Sequence, residues 1–344
     1  MNLRRLPTAR LLLLGVAGVV VYCEWLVYRR GAREWAPLAC PGDAAAAAGC
    51  TRVLLVADPQ LQGELAAVFP LNWLFIWDSD RYVKATFHEA LRHVQPDVVV
   101  FLGDLMDEGS IATGEQYARY VNRIFDIFAP YDHSFKPLYI PGDNDIGGEN
   151  ERVREDKIDL FNKIFLRPRK LIHKDIIFLE IDGITHVMPD VDDDMLSEFK
   201  LRIAVSHYGV ASRQMQDKFH PHIYFSAHTH ESRLVRHRGG MAHRQQRLLD
   251  KTLTVVFDNE TVNEIFVPTC SYRMGTREIG YGAAVIEKDY TQMRYTVLWT
   301  PERFPSLLAY AAIALLAVLL VVIKAIIRVM ASSRSYYQKL QHSV

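Results

Sequence analysis

Five short polar clusters stand in a fixed order along the middle of the chain. They are Ala57-Asp58-Pro59-Gln60, Gly103-Asp104 with Asp107 and Gly109, Gly142-Asp143-Asn144-Asp145, Ser206-His207, and Ala227-His228-Thr229-His230. Their donors are carboxylate oxygen, amide oxygen and neutral imidazole nitrogen, which suit divalent first-row cations. Two such ions need about six to eight ligands with one carboxylate shared, and the pair can polarise a phosphoryl oxygen and generate a hydroxide.

For these residues to converge, strands must stand behind them. Each cluster follows an apolar run that reads as a buried strand: Val53 to Val56, Val98 to Leu102, Leu138 to Ile140, Ile203 to Val205, and Ile223 to Phe225. The polar groups then sit at the carboxyl ends of strands, where open α/β sheets gather ligand sites. Glycine, aspartate and asparagine also end strands in ordinary turns; seven candidates in one order weigh against that reading. Helical patterns run over Asp80 to Val94, closed by Gln95-Pro96-Asp97, over Glu115 to Phe128, and over Val153 to Phe165. After the last cluster come four strand candidates, Leu253 to Phe257, Val262 to Val267, Ala283 to Glu287 and Thr291 to Trp299. They predict a second sheet packed on the first, within an α/β architecture.

Three further stretches carry chemistry of their own. Glu64 to Trp77 is dense in apolar and aromatic side chains. It reads as a packed core loop, with a patch lying on a bilayer as the alternative. Arg233 to Lys251 is rich in arginine and histidine and reads as a solvated loop, the alternative being a basic rim for a phosphate-bearing group. His88 and His93 are five apart, do not share a helix face, and read as surface or packing residues.

At the five clusters the chain resembles the calcineurin-like metallophosphoesterase superfamily, whose pattern runs D-x-H, G-D-x-x-D, G-N-H-[DE], H, then G-H-x-H. The match extends over Val53 to Trp299. The resemblance implies an α/β/β/α sandwich and a binuclear phosphoric ester hydrolase. Asp104 takes the bridging place. Asp58 and His230 complete one metal position with Gln60 nearby; Asp143, His207 and His228 complete the other. Asp107 and Asp145 read as carboxylates that orient ligands. Two cations about 3.5–4 Å apart would lower the pKa of a bridging water that attacks phosphorus in line. Within the superfamily, Ala57 to Gln60, Ser79-Asp80-Arg81-Tyr82, Asp145-Ile146-Gly147 and Val267 to Arg273 are most similar to the membrane-bound, GPI-remodelling phosphodiesterases and their fungal relatives.

The departures from that pattern are chemical. Gln60 stands where many relatives have histidine, and an amide is the poorer donor; one ion is then held loosely or is a harder one. Two divalent ions are expected, Mn²⁺ foremost, with Zn²⁺ or iron as alternatives. Asp143 replaces the usual asparagine and adds a negative charge. Asn144 replaces the histidine often assigned as general acid, and losing acid catalysis typically removes about 10²–10⁴-fold. Asn144 and Asp145 are thus the catalytic candidates, with His133 or Asp145 as substitute donors for the leaving group. Ala227 for glycine adds only a methyl group.

The ends of the chain read differently. Residues 1–10 precede an apolar segment at 11–28, residues 29–50 form an alanine-rich linker, and 51–300 hold the clusters. A second, almost purely apolar segment occupies 306–329, and 330–344 is a polar tail. Leu11 to Tyr28 is at the lower end for a membrane helix of about 17–25 residues. A cleaved signal peptide with Leu11 to Val21 as its core is the alternative; no small-x-small site follows at once. Lys324, Arg328, Arg334 and Lys339 place the tail in the cytoplasm by the positive-inside rule. Two spans then put both termini in the cytoplasm and the clusters on the lumenal side. The sequon Asn259-Glu260-Thr261 agrees. Cys40 and Cys50 flank the linker and could pair in an oxidising lumen.

Forty basic and forty acidic residues cancel, so no overall field favours nucleic acid, and no nucleic-acid partner is expected. The resemblance implies a phosphodiesterase of the ER-to-Golgi membrane that removes ethanolamine phosphate from the GPI-anchor glycan and aids transport of GPI-anchored proteins. Its partners would be a membrane-lipid or GPI-glycan substrate, and GPI-anchored cargo or cargo receptors. Two alternatives stay open: a membrane phosphoesterase on another lipid or nucleotide ester, and a cargo receptor or adaptor with a vestigial metal site.

Overall fold

The run Thr51-Arg52-Val53-Leu54-Leu55-Val56 forms the strand β1 on which the first sheet is laid. The computed structural model describes residues 8–40, 49–65, 70–129, 134–165, 169–249, 252–258 and 260–341. Val68, Phe69, His133 and Asn259, which the sequence singles out, lie outside them. The chain divides into two units, one of residues 28–301 and one of residues 1–27 with 302–344.

In the larger unit β1 pairs in parallel with β2 (Val98–Phe101), Val53 standing opposite Val98, and β2 pairs in parallel with β3 (Lys136–Tyr139). Each polar cluster follows its strand as expected. Two further segments follow β3 as strands β4 (Lys170–His173) and β5 (Ile176–Glu180). Next come β6 (Leu201–Val205) and β7 (Ile223–Ser226), then β8 (Arg233–Arg238) and β9 (Met241–Arg247). The last four are β10 (Leu253–Val256), β11 (Thr261–Phe266), β12 (Gly280–Ile286) and β13 (Gln292–Trp299). The first sheet runs β10-β13-β12-β1-β2-β3, and the second runs β4-β5-β6-β7-β11-β8-β9. The late strands therefore do not form the second sheet by themselves. Three of them extend the first sheet from β1, while β11 adds in parallel to β7.

Alternate residues explain the layering. Val53, Leu55, Val98 and Val100 of the first sheet share one buried cluster with Ile203, Val205, Ile223 and Phe225 of the second. The opposite faces carry helices. Phe101 meets Phe87 of the helix Asn72–Val94, ring centres 6.4 Å apart, and Phe128 just beyond the helix Gly114–Ile127 at 5.1 Å. On the second sheet Ile177, Leu179, Ala204 and Tyr224 pack with Leu196, Met215 and Phe219 from two short helices. The result is an α/β/β/α sandwich.

Two expectations change. Among the described residues, Glu64, Leu65 and 70–77 are not a packed core loop: the helix begins at Asn72, not Asp80, and Trp73 and Trp77 are 65% and 54% exposed. None of the described residues buries these first turns as Asp78 and Ser79 are buried. The basic stretch Arg233 to Lys251 is not a loop either but the hairpin β8–β9, whose second strand is exposed along its length at the sheet edge. Arg244 and Arg247 on that edge strand put charge where further strand pairing would otherwise be open. Cys40 and Cys50 form a disulfide with Cα atoms 6.3 Å apart.

The smaller unit contains two helices long and apolar enough to cross a membrane, Leu12–Arg33 and Phe304–Ala331, the first running on into residues of the larger unit. Glu24, the acid in the first, is matched inside this unit. The buried Arg303 guanidinium donates to Glu24 Oε1 at 3.0 Å and to the Cys23 carbonyl at 3.3 Å, and Tyr310 donates to the same carboxylate. A buried guanidinium is expected to be paired in this way.

Candidate active site

The clusters converge because the backbone turns sharply as each strand ends. Asp58, Gln60, Asp104, His228 and His230 all hold left-handed φ values of 47°, 40°, 52°, 66° and 58°. Such conformations cost about 1–3 kcal/mol each and persist where surroundings over-determine them. The surroundings here are visible. Gly103 (φ 93°) lies so close to His207 that a Cβ would stand 2.6 Å from Nδ1, and a Cβ on Gly142 would stand 2.1 Å from Asp104 Oδ1. Asp145, fully buried, accepts from the amides of Leu105 (3.1 Å), Met106 (3.0 Å) and Gly142 (2.9 Å), which ties two of the turns together.

The side chains meet at the carboxyl ends of β1, β2, β3, β6 and β7. Asp104 is the centre. Its Oδ1 accepts from the Asn144 amide N–H at 2.9 Å, and its Oδ2 accepts from Asn144 Nδ2 and Gln60 Nε2, each at 2.9 Å. His207 Nε2 lies 3.0 Å from Asp143 Oδ1 and 3.6 Å from Asp104 Oδ1, and its Nδ1 is 3.9 Å from Asp58 Oδ1. A carbonyl only accepts, so the 2.8 Å contact of Nδ1 with the Leu102 carbonyl keeps the proton there and offers Nε2 to a cation. His228 Nδ1 lies 3.2 Å from Asp143 Oδ1. His230 Nε2 is 3.9 Å from Asp58 Oδ1 and 3.3 Å from Gln60 Nε2. Two groups thus have ligand atoms within 4.8 Å of one another: Asp143, His207 and His228, and Asp58, Asp104 and His207. His207 is common to both groups, with Nε2 as the one ring atom left to a cation.

Charge explains what the cluster wants. Asp58, Asp104, Asp143 and Asp145 are all buried. Burial pushes Asp58 and Asp104 above the ordinary carboxylate range, although His207 pulls the other way. Asp145 rises to about 7, by burial first and Asp104 second. Burial also opposes the charge on Asp143, but hydrogen bonds from His207 and His228 outweigh it and hold that carboxyl low. His207 is penalised by burial yet raised to about 10 by Asp104, Asp143 and Asp58. Burial, His228 and His207 lower His230, which favours its neutral, ligating form. The sharpest sign is Asp58. It is 0% exposed, and neither carboxylate oxygen has a hydrogen-bond partner among the described residues. An unpartnered buried carboxylate is costly unless a cation meets it, so the donor set fits two divalent ions.

One predicted residue, Asp107, has another neighbour. Asp107 accepts from Arg273 Nη2 at 2.8 Å, and the same guanidinium donates to the Gln60 carbonyl at 2.8 Å. Thr269 Oγ1 donates to the Asp58 carbonyl at 2.7 Å. The late run Val267 to Arg273 therefore braces the first cluster from across the sheet. Tyr208 is the residue the sequence reading passed over. Its ring stacks edge-on against His228 at 4.3 Å, and burial together with Asp143 raises its hydroxyl well above the usual range. Adjacency to His207 was the only signal for it.

The calcineurin-like phosphoesterase family model matches residues 51–232, and the chain belongs to that family of metal-dependent hydrolases. Among curated proteins it is similar to Metallophosphoesterase 1 of Pongo abelii, 28% identical over 186 residues, which are 53% of this chain and 45% of that protein. The Gallus gallus protein of the same name is 28% identical over 155 residues, 44% of this chain and 37% of its own. A Drosophila melanogaster Metallophosphoesterase 1 homolog is 32% identical over 96 residues, 28% and 25%. The chain spans less than half the length of these relatives. Among solved structures, a Sphaerobacter thermophilus metallophosphoesterase aligns with a TM-score of 0.35 at 12% identity, over 72% of this chain and 88% of that one.

Proposed function

We propose that the protein is a two-metal phosphodiesterase of the secretory-pathway membrane, acting on the ethanolamine phosphate of the GPI-anchor glycan. The observation that carries the hydrolytic part is Asp58, buried with both oxygens unpartnered beside Asp104, His207 and His230. The GPI substrate and the ER-to-Golgi setting rest on the resemblance to Metallophosphoesterase 1. Two bound Mn²⁺ ions would polarise the phosphoryl oxygen and supply a nucleophile at neutral pH. The protein's own part is orientation. Asp58 and His230 would hold one ion with Gln60 beside them, Asp143, His207 and His228 the other, and Asp104 would be shared. Gln60 and Asn144 aim Asp104 by their hydrogen bonds, and Leu102 fixes the His207 ring.

The apolar helices at 12–33 and 304–331 support a two-pass protein with its larger unit in the lumen. The Cys40–Cys50 disulfide agrees with an oxidising compartment. GPI-anchored cargo and cargo receptors are the partners this reading implies. The test is hydrolysis by detergent-purified protein with Mn²⁺, offered an ethanolamine-phosphate-bearing GPI glycan, other lipid phosphodiesters and nucleotide esters. Preferential release of ethanolamine phosphate is the expected outcome. Faster turnover of a nucleotide ester or another lipid would replace the GPI assignment.

A further inference from the structure

The exposed start of the helix Asn72–Val94 has no role in the site just described. Leu71, Trp73, Leu74, Phe75 and Trp77 are all exposed, while Asp78, Ser79, Tyr82 and Val83 directly after them are buried. The helix thus leaves the body of its unit with two apolar turns uncovered. Position says what covers them. The Tyr82 ring packs edge-on against Tyr28 at 5.9 Å, and its hydroxyl donates to the Pro301 carbonyl at 2.9 Å. Tyr28 and Pro301 are the residues at which the chain passes between its larger unit and its apolar ends. Trp35 meets His93 at 5.3 Å, so residues 28–35 run alongside 82–93 in the same direction. Followed backwards from Tyr82, the helix leads to Trp77 and Trp73. At 1.5 Å per residue, Trp77 and Trp73 lie about 8 and 14 Å along the helix from Tyr82.

The chemistry of the patch suits that position. Tryptophan concentrates at the membrane–water boundary, and phenylalanine and leucine serve with it on the apolar face of helices that lie in the interface. Arg81 lies over the Trp77 ring at 4.8 Å, which sets a cation beside the aromatic face. The patch is also wired to the metal cluster. Asp78, next to Trp77, accepts from the Tyr272 hydroxyl at 2.9 Å, and Arg273 beside it holds the Gln60 carbonyl and Asp107.

We propose that the first two turns of this helix insert into the lipid–water interface and present lipid-borne phosphodiesters to the active site. The proposal rests on the apolar helices being membrane spans and on the phosphodiesterase reading above. The insertion is read without activity. Full-length protein goes into phosphatidylcholine vesicles with and without lipids brominated near the headgroup, and tryptophan quenching is compared between wild type and Trp73→Phe/Trp77→Phe. Phenylalanine keeps the patch apolar and the fold intact. The quenched share of the emission should fall in the double variant, leaving only that of Trp25, Trp35 and Trp299. Equal quenched shares in both proteins would overturn the insertion and assign the patch to a protein partner or a second copy. Presentation is read with Trp73→Ser/Trp77→Ser. It should lose about tenfold in turnover of a lipid phosphodiester in vesicles, a factor equal to about 1.4 kcal/mol, and keep wild-type turnover of soluble bis(p-nitrophenyl) phosphate. Equal loss on both substrates would overturn presentation. Wild type inactive on both would instead overturn the phosphodiesterase reading, and quenching would still decide the insertion.

Discussion

Replacing Asp104 with asparagine tests the centre of the site at nearly constant shape. The carboxylate is 2% exposed and accepts three hydrogen bonds, two of them at Oδ2 from Gln60 Nε2 and Asn144 Nδ2. Asparagine presents one oxygen and one NH₂ group. If its oxygen takes the Asn144 amide N–H, its NH₂ faces two other NH₂ donors, and the mismatch costs about 1–3 kcal/mol. Against that, the change removes one of four crowded carboxylates and eases Asp58 and Asp143, so metal-free stability should shift by less than about 2 kcal/mol. Metal binding has no such offset. On the proposed two-metal reading a neutral amide replaces the shared carboxylate, and hydrolysis should fall by at least about 10³-fold, a barrier rise of about 4 kcal/mol. The assays are hydrolysis of a soluble diester, metal content by mass spectrometry, and thermal unfolding after chelation. Asp104→Asn with near wild-type turnover and two bound ions would refute the shared role. A protein that unfolds before chelation would show Asp104 to be a structural residue instead.

Three other outcomes follow from the same geometry. Gly142→Ala should lose at least about 1–3 kcal/mol of stability along with its metal, because the new methyl meets Asp104 Oδ1 and its backbone nitrogen at 2.1 and 2.3 Å; unchanged melting and metal content would contradict the close approach. In the chelated protein His207 is raised from 6.5 to about 10, so its stabilising charge is complete below pH 6.5 and is lost as pH rises towards 10. Melting temperature should fall across that window, the slope should vanish in His207→Gln, and metal binding at pH 8 should release protons. Reducing the Cys40–Cys50 bridge, which closes a loop of separation 10, should cost about 3 kcal/mol by the chain-entropy model, read as a lower melting temperature in dithiothreitol and its absence in a Cys40→Ser/Cys50→Ser variant.

Much of the molecule is decided locally. The runs Val53 to Val56 and Val98 to Leu102 are buried on both faces, and such runs become strands wherever they lie in the fold. The dipeptides and triplets after them carry the ligands, so the order Asp58, Asp104, Asp143, His207, His228 and His230 names the chemistry without coordinates. The apolar windows at 12–33 and 304–331 are likewise plain from composition. What sequence leaves open is whatever depends on contacts across long separations. Only the tertiary structure places Arg273 on Gln60 and Asp107, over separations of 213 and 166 residues. It alone sets Asp145 as a bracket for two turns and His207 within reach of Asp58, Asp104 and Asp143, and it splits the late strands between two sheets. The tryptophan-rich stretch shows the reason most clearly. Trp73 and Trp77 look like core residues because hydrophobicity measures how strongly a side chain avoids water, not which neighbour is there to exclude it. That neighbour is supplied by the rest of the fold, and among the described residues none buries Trp73 and Trp77.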